Sequence, residues 1–382
     1  MRIGRALLVV ALVALAAVPV AESAQIRPRV VGGDPADIAA MPWMASIVAS
    51  SASGGSWLCG GTVVGARYVL TAAHCVVDRG AVVAARRVGG AVGRATLSGS
   101  DGTAFAVDAV AVHPLYARAS TAEGGPYDAA LLHVDRDLPV TPLRLATTAD
   151  AAAYAAGVDA TIAGWGATAS GGGSSDVLRT ATVPIVDEAT CARENGITAA
   201  EARKMICAGY EGGGIDTCQG DSGGPLTVTA GAEPIVAGIV SWGFECAAPL
   251  HPGVYTRVAT IAPWAAPLLA GDAEAWTIAT DVRAPRVRPS AARSRRGVVG
   301  FRYRVLGETG RTRETITIRR SRTRRALRSV TTVLAANHRV SVVRWRVPRV
   351  LPAGRYVWCV TSTDENRNVS PMRCAALEIT RP

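Results

Sequence analysis

The formal charge of this chain changes sign once along its length. Residues 1–280 hold 17 Lys and Arg against 24 Asp and Glu, a net of −7. Residues 281–382 hold 24 Arg against 6 Asp and Glu, a net of +18. The basic character of the whole chain, +11, therefore belongs to its last quarter, and the chain divides into at least two parts. Its 382 residues suit roughly two or three domains. Hydrophobic residues make up 49% and charged residues 19%. That is material for a sizeable core, which excludes a wholly disordered chain and a disulfide-stapled miniprotein. No apolar run reaches the ~18 residues that cross a bilayer, so no transmembrane anchor is expected.

Arg2 and Arg5 precede an apolar run from Ala6 to Val18. Pro19 ends that run, and Ala21 to Ala24 supply small residues. This is the layout of a secretory signal, expected over residues 1–24. A buried core helix is the competing reading, and the lack of a polar face argues against it. Export implies an oxidising destination, which suits eight cysteines, an even number.

Three short segments carry chemistry. They are Thr71-Ala72-Ala73-His74-Cys75, Tyr127-Asp128-Ala129-Ala130-Leu131-Leu132, and Asp216-Thr217-Cys218-Gln219-Gly220-Asp221-Ser222-Gly223-Gly224-Pro225. A serine hydroxyl is a poor nucleophile. It needs a neutral imidazole to take its proton and a carboxylate to hold that imidazole in the right tautomer. Glycines beside the serine let backbone N–H groups approach a developing oxyanion.

These segments closely resemble the chymotrypsin/trypsin-like serine peptidases, in which the order along the chain is also His, Asp, Ser. The resemblance runs from about Val30 to about Leu269. It includes Val30-Val31-Gly32-Gly33, Cys59-Gly60-Gly61-Thr62, Gly164-Trp165-Gly166, Ser241-Trp242-Gly243 and Pro252-Gly253-Val254-Tyr255-Thr256. It implies Ser222 as nucleophile, His74 as general base and acid, and Asp128 as the group that orients the imidazole. It implies an oxyanion hole from the N–H groups of Gly220 and Ser222. Asp216, six residues before Ser222, matches the base of the family's specificity pocket. A carboxylate there goes with cleavage after Arg or Lys, whose cation offsets the cost of burying it. Ser241, Gly243 and Gly253 match the pocket walls.

The resemblance also implies a zymogen. Residues 25–29 would be a propeptide, and cutting Arg29–Val30 would free an ammonium at Val30 that pairs with Asp221. It implies disulfides Cys59–Cys75, Cys191–Cys207 and Cys218–Cys246. No cofactor or metal is expected. There is no Cys-x-x-Cys, the five histidines are scattered, and Asp78 is the lone acid of the stretch from Asp78 to Val92 that would bind calcium in many trypsins. An inactive homologue that binds through its tail and an esterase are the competing functions. The intact His74, Asp128, Ser222 and Asp216 argue against the former.

The fold expected is all-β. Two antiparallel six-stranded barrels would be closed by a helix from Val258 to Leu269, made irregular by Pro263 and Pro267. The runs Ala45–Val48, Thr62–Leu70, Thr161–Gly166 and Ile235–Val240 read as strands. The peptidase domain would cover residues 30–270, and 271–297 would be a linker. Residues 298–382 alternate apolar and Arg positions and read as a small immunoglobulin- or fibronectin-like sandwich, with Cys359 and Cys374 available to bridge. Expected partners are peptides with Arg or Lys at the cleaved bond, and for the tail an anionic surface or polymer. No specific nucleic acid is expected, and the molecule would be a secreted monomer.

Overall fold

The computed structural model describes residues 31–380 except Gly80, 117–123, 274, 277–285, 307–310, 321–325, 336–339, 364–369 and 371. The expected signal (1–24), propeptide (25–29) and activation bond Arg29–Val30 lie outside the described residues.

Small and β-branched residues build the first barrel. Its strands are β1 (Met44–Ser50), β2 (Ser56–Gly65), β3 (Tyr68–Thr71), β4 (Val88–Val92), β5 (Thr103–Val112) and β6 (Ala130–Val134). They close in the order β1-β2-β3-β6-β5-β4, all neighbours antiparallel. On β1, Ala45, Ile47 and Ala49 point into the barrel while Val48 is 46% exposed. That is the two-residue period of a strand with one face in the core. The run Thr62–Leu70 proves to be two strands, because the chain turns at Ala66-Arg67 between β2 and β3.

The second barrel has β7 (Asp159–Gly164), β8 (Arg179–Val186), β9 (Met205–Ala208), β10 (Pro225–Ala230), β11 (Glu233–Trp242) and β12 (Gly253–Arg257). It closes as β7-β8-β9-β12-β11-β10, the same path that the first barrel takes. One continuous apolar core spans both barrels. Closure leaves neither barrel a free sheet edge.

The helix Val258–Leu269 is continuous, with both prolines inside it. Val258, Ile261, Ala265 and Leu268 form its buried stripe, whereas Pro263 and Pro267 are exposed. Each proline removes an N–H and frees a carbonyl one turn earlier. The carbonyl that Pro267 frees belongs to exposed Pro263 and can bond to water, whereas the one that Pro263 frees belongs to the buried Ala259. Among the described residues no helix is long and apolar enough to cross a membrane.

A two-sheet sandwich follows. One sheet holds β13 (Arg286–Pro289), β15 (Val298–Leu306) and β18 (Val340–Arg346), in the order β13-β15-β18. The other holds β14 (Ala292–Arg293), β16 (Arg311–Arg320), β17 (Ala326–Ala335), β19 (Gly354–Thr363) and β20 (Arg373–Ile379), in the order β14-β20-β19-β16-β17. β13 and β14 lie inside the stretch 271–297 expected as a linker. Val287 of β13 is buried in the sandwich core, so the sheets begin at Arg286. The short β13 was hidden because Pro and Arg dominate its composition while only Val287 faces inward. Trp358 is fully buried, its ring 4.8 Å from that of Phe301, and its indole N–H donates to the Ser290 carbonyl at 3.1 Å. On β18 the inward positions are Ser341, Val343 and Trp345, while Val340 and Val342 face out.

Four disulfides are formed: Cys59–Cys75, Cys191–Cys207, Cys218–Cys246 and Cys359–Cys374. The last joins facing residues of β19 and β20. It closes a loop of sequence separation 15, and a loop of that length is worth about 3 kcal/mol. Replacing Cys359 and Cys374 with Ala should therefore destabilise the sandwich by about 3 kcal/mol in denaturant titration.

Candidate active site

The histidine and one aspartate come from the first barrel. β3 ends at Thr71, and a 3-10 turn over Ala73–Val76 sets His74 at the barrel rim. Asp128 immediately precedes β6 and its side chain is 0% exposed. Its Oδ1 accepts a bond from the His74 backbone N–H at 2.9 Å. Its Oδ2 lies 2.7 Å from His74 Nδ1 and accepts from the Ser241 hydroxyl at 2.7 Å. The Thr256 hydroxyl donates to the Asp128 carbonyl at 2.9 Å. Ser241 stands on β11 and Thr256 on β12, so the second barrel grips an acid of the first. A carboxylate can only accept, so Nδ1 carries the ring proton and Nε2 is the acceptor nitrogen of the ring.

Ser222 comes from the second barrel, on the loop between β9 and β10. Its carbonyl accepts from the Gly60 N–H of β2 at 2.7 Å. Cys75 Sγ lies 3.4 Å from that carbonyl oxygen and 3.9 Å from His74 Nε2. One disulfide sulfur thus separates the imidazole from the serine backbone, and residues 148 positions apart in sequence meet across the cleft. Gly223 makes the approach possible. Its φ is +82°, and a Cβ there would strike the Thr71 hydroxyl and the Gly60 carbonyl. The N–H groups of Gly220 and Ser222 donate to no acceptor among the described residues.

Two further carboxylates lie close by in the same loop. Asp221 is 0% exposed, and accepts from the Gly166 N–H at 2.7 Å and the Cys218 N–H at 2.9 Å. Burial pushes its acid up to about 6, against the pull of those two bonds. A Cβ on Gly164 or Gly166 would run into this carboxylate. Asp216 is 4% exposed, and accepts from the Thr217 N–H at 2.7 Å and the Ala247 N–H at 3.3 Å. Burial pushes it up to about 7. Neither acid has an ion-pair partner among the described residues. A Cβ on Gly253 would strike the Asp216 carboxylate, and one on Gly243 would stand 3.9 Å from Gly253 Cα. The Gly243–Gly253 gap therefore opens beside Asp216.

Cys59, His74 and Cys75 are close enough to suggest a metal cluster, but both sulfurs are tied in one disulfide and offer no thiolate. His113, His133 and His251 pack against aromatic rings, and His338 lies outside the described residues.

The structure brings together His74, Asp128, Ser222 and Ser241, and it groups Asp216 with Gly243 and Gly253. Ser241, expected on the substrate side, spends its hydroxyl on Asp128. Sequence reasoning missed Thr256, Gly60, Thr71 and Gly166 as supports. All four lie inside the quoted Cys59–Thr62, Thr71–Cys75, Gly164–Gly166 and Pro252–Thr256 segments, so their segments were visible and their partners were not.

A family model described as Trypsin matches residues 30–265. A trypsin of Saccharopolyspora erythraea is 41% identical over 229 residues, covering 60% of this chain and 93% of the relative. A trypsin of the black fly Simulium vittatum is 38% identical over 254 residues, covering 64% of this chain and 96% of the relative. With a Trypsin family model matching more than half of the chain and two closed antiparallel barrels, this chain belongs to the trypsin family of serine proteases.

Proposed function

We propose that this protease is secreted as an inactive precursor and, once trimmed at Arg29–Val30, cleaves peptide bonds after Arg or Lys. One observation carries the specificity: Asp216 is a buried carboxylate beside two glycines, held by backbone N–H groups and without a cation among the described residues. An isolated buried charge is costly, and its pKa shift records that cost. A long cationic side chain reaching past Gly243 and Gly253 would supply the missing partner, with its apolar stem against the walls. Four disulfides and the signal-like residues 1–24 support export.

With the substrate seated, Ser222 Oγ attacks the scissile carbonyl as its proton passes to His74 Nε2. The negative charge collects on the former carbonyl oxygen, to which the N–H groups of Gly220 and Ser222 donate hydrogen bonds. Asp128 steadies the resulting imidazolium through Nδ1–H. His74 then hands the proton to the departing amine, leaving an ester on Ser222. Water attacks that ester, again giving its proton to His74, and the acid product leaves as the proton returns to Ser222.

Asp221 supports the precursor reading. It is buried beside the nucleophile with two backbone donors and, among the described residues, no cation. The Val30 ammonium, freed by the cut after Arg29, would pair with it and fix the Gly220–Ser222 backbone. Because the cut follows Arg, the mature enzyme can perform it on another copy.

Three outcomes are expected. Ser222→Ala lowers kcat on an Arg-amide substrate by on the order of 10⁶ with KM little changed, read by release of the amine. The Ki of an aryl-amidinium competitor depends on Asp216 being ionised, and protons compete with the amidinium for it. The Ki should therefore weaken about ten-fold per pH unit below about 7 and level off above. Asp216→Ser removes this dependence and the preference for Arg. Finally, purified Ser222→Ala chain keeps its propeptide, and a trace of active enzyme trims it to Val30, read by N-terminal mass spectrometry. Trimming of the purified variant alone would rule out self-activation.

A further inference from the structure

The three-stranded sheet of the sandwich turns one face to the core and the other to solvent. The outer positions are set by register. Arg288 faces Arg304, Arg304 faces Val340, Arg302 faces Val342, Gly300 faces Arg344, and Val298 faces Arg346. Arg286 lies two residues before Arg288, on the same side. These six arginines are all exposed. None is in an ion pair among the described residues, and the described acids of the sandwich are Glu314, fully buried, and Glu378, paired with Arg293.

These six arginines fall on a diagonal, and Arg295, exposed and opposite Val298 on the side away from β18, stands off it. Arg346 and Arg344 stand on β18, Arg302 and Arg304 are the next steps on β15, and Arg288 and Arg286 complete the line on β13. With about 6.8 Å between alternate residues and about 4.8 Å between strands, the line runs about 29 Å at about 5–8 Å per step. Val340 and Val342 flank it on β18, 55% and 48% exposed. The outer face of the opposite sheet differs. There Arg313, Arg319 and Arg355 are set among Thr, Val and Ala, and Arg355 faces Glu378.

We propose that this arginine line is a binding track for an extended polyol-phosphate chain. Charge complementarity selects a polyanion, and the one-dimensional spacing selects a linear one over a membrane plane. Six backbone bonds separate successive phosphates in a glycerol-phosphate polymer, a repeat of about 7 Å when extended, which matches the step between arginines. Guanidinium groups grip phosphate oxygens with two parallel bonds, a geometry lysine lacks. Single-stranded nucleic acid has a similar charge repeat, but its binding sites use aromatic stacking platforms, and this face carries no aromatic side chain. The track lies on the sandwich and does not depend on the specificity assigned to the protease domain. It would hold the protease on a phosphate-bearing polymer surface.

The test uses full-length Ser222→Ala chain and fluorescein-tagged poly(glycerol phosphate), read by anisotropy across a salt series. Neutralising Arg302, Arg304 and Arg344 to Gln removes three ionic contacts. Binding should weaken about a hundred-fold at about 0.1 M salt, and the slope of log K against log salt should shrink by about 2. Arg313→Gln, Arg319→Gln and Arg355→Gln together remove the same charge from the other face and should change binding less than about two-fold. Arg302→Lys, Arg304→Lys and Arg344→Lys together keep the charge, and a loss between these two supports paired guanidinium contacts. Thermal unfolding of each variant checks the sandwich. Equal losses from both faces would reduce the effect to net charge and overturn the proposal. Tighter binding of poly(dT), heparin or phosphatidylglycerol vesicles than of the polyol phosphate would overturn the choice of partner.

Discussion

Asp128 is a fully buried carboxylate whose acceptor capacity is filled from both barrels at once, and the working geometry follows from that. An ionised acid cannot be held out of water without donors, and here they are the His74 backbone, the His74 ring and the Ser241 hydroxyl. Two donors belong to the first barrel and one to the second. Satisfying one charge therefore requires that the barrels meet in one register. Thr256 reinforces the same joint through the Asp128 carbonyl. The imidazole tautomer, and so the basicity of Nε2, is a consequence of this packing.

The neighbouring loop follows the opposite logic. Asp216 and Asp221 are also buried, but their donors are mainly backbone N–H groups, and neither has a cation among the described residues. Their acids are shifted upward, while glycines at 164, 166 and 253 keep side chains from crowding them. Buried charge left uncompensated within the described residues is a stored demand for a cation. On the proposed reading, Asp221 receives it once, from the trimmed chain end, and Asp216 receives it from each substrate.

In the C-terminal sandwich the two-residue period of a strand separates two chemistries. Val299, Phe301, Tyr303 and Val305 fill the core, and the alternate arginines of the same strand are driven to the opposite face. A slip of one residue would bury those guanidinium groups, so the apolar face enforces the placement of the charged one. The spread of arginine over three strands then depends on the pairing of β13, β15 and β18.

Local chemistry was legible in the sequence wherever a residue type has few uses. The segments around His74, Asp128 and Ser222 named the candidate reacting groups, and paired cysteines and alternating strands named the all-β class. What a side chain bonds to across the chain was not legible. Ser241 looked like a pocket residue because its neighbours line one, yet its hydroxyl is held by an aspartate 113 positions away. Pro263 and Pro267 looked like a source of helix irregularity because only the fold puts them on the solvent side. β13 looked like linker because a single valine facing a core is invisible without the core. The sequence by itself determined which groups could react and which strand faces could be buried, since those depend on residue type and period. The tertiary structure alone decided their partners, the burial that shifts their acidity, and the joining of separate strands into one line of charge. Those properties depend on distances between residues far apart in the chain, and only closed barrels and paired sheets set such distances.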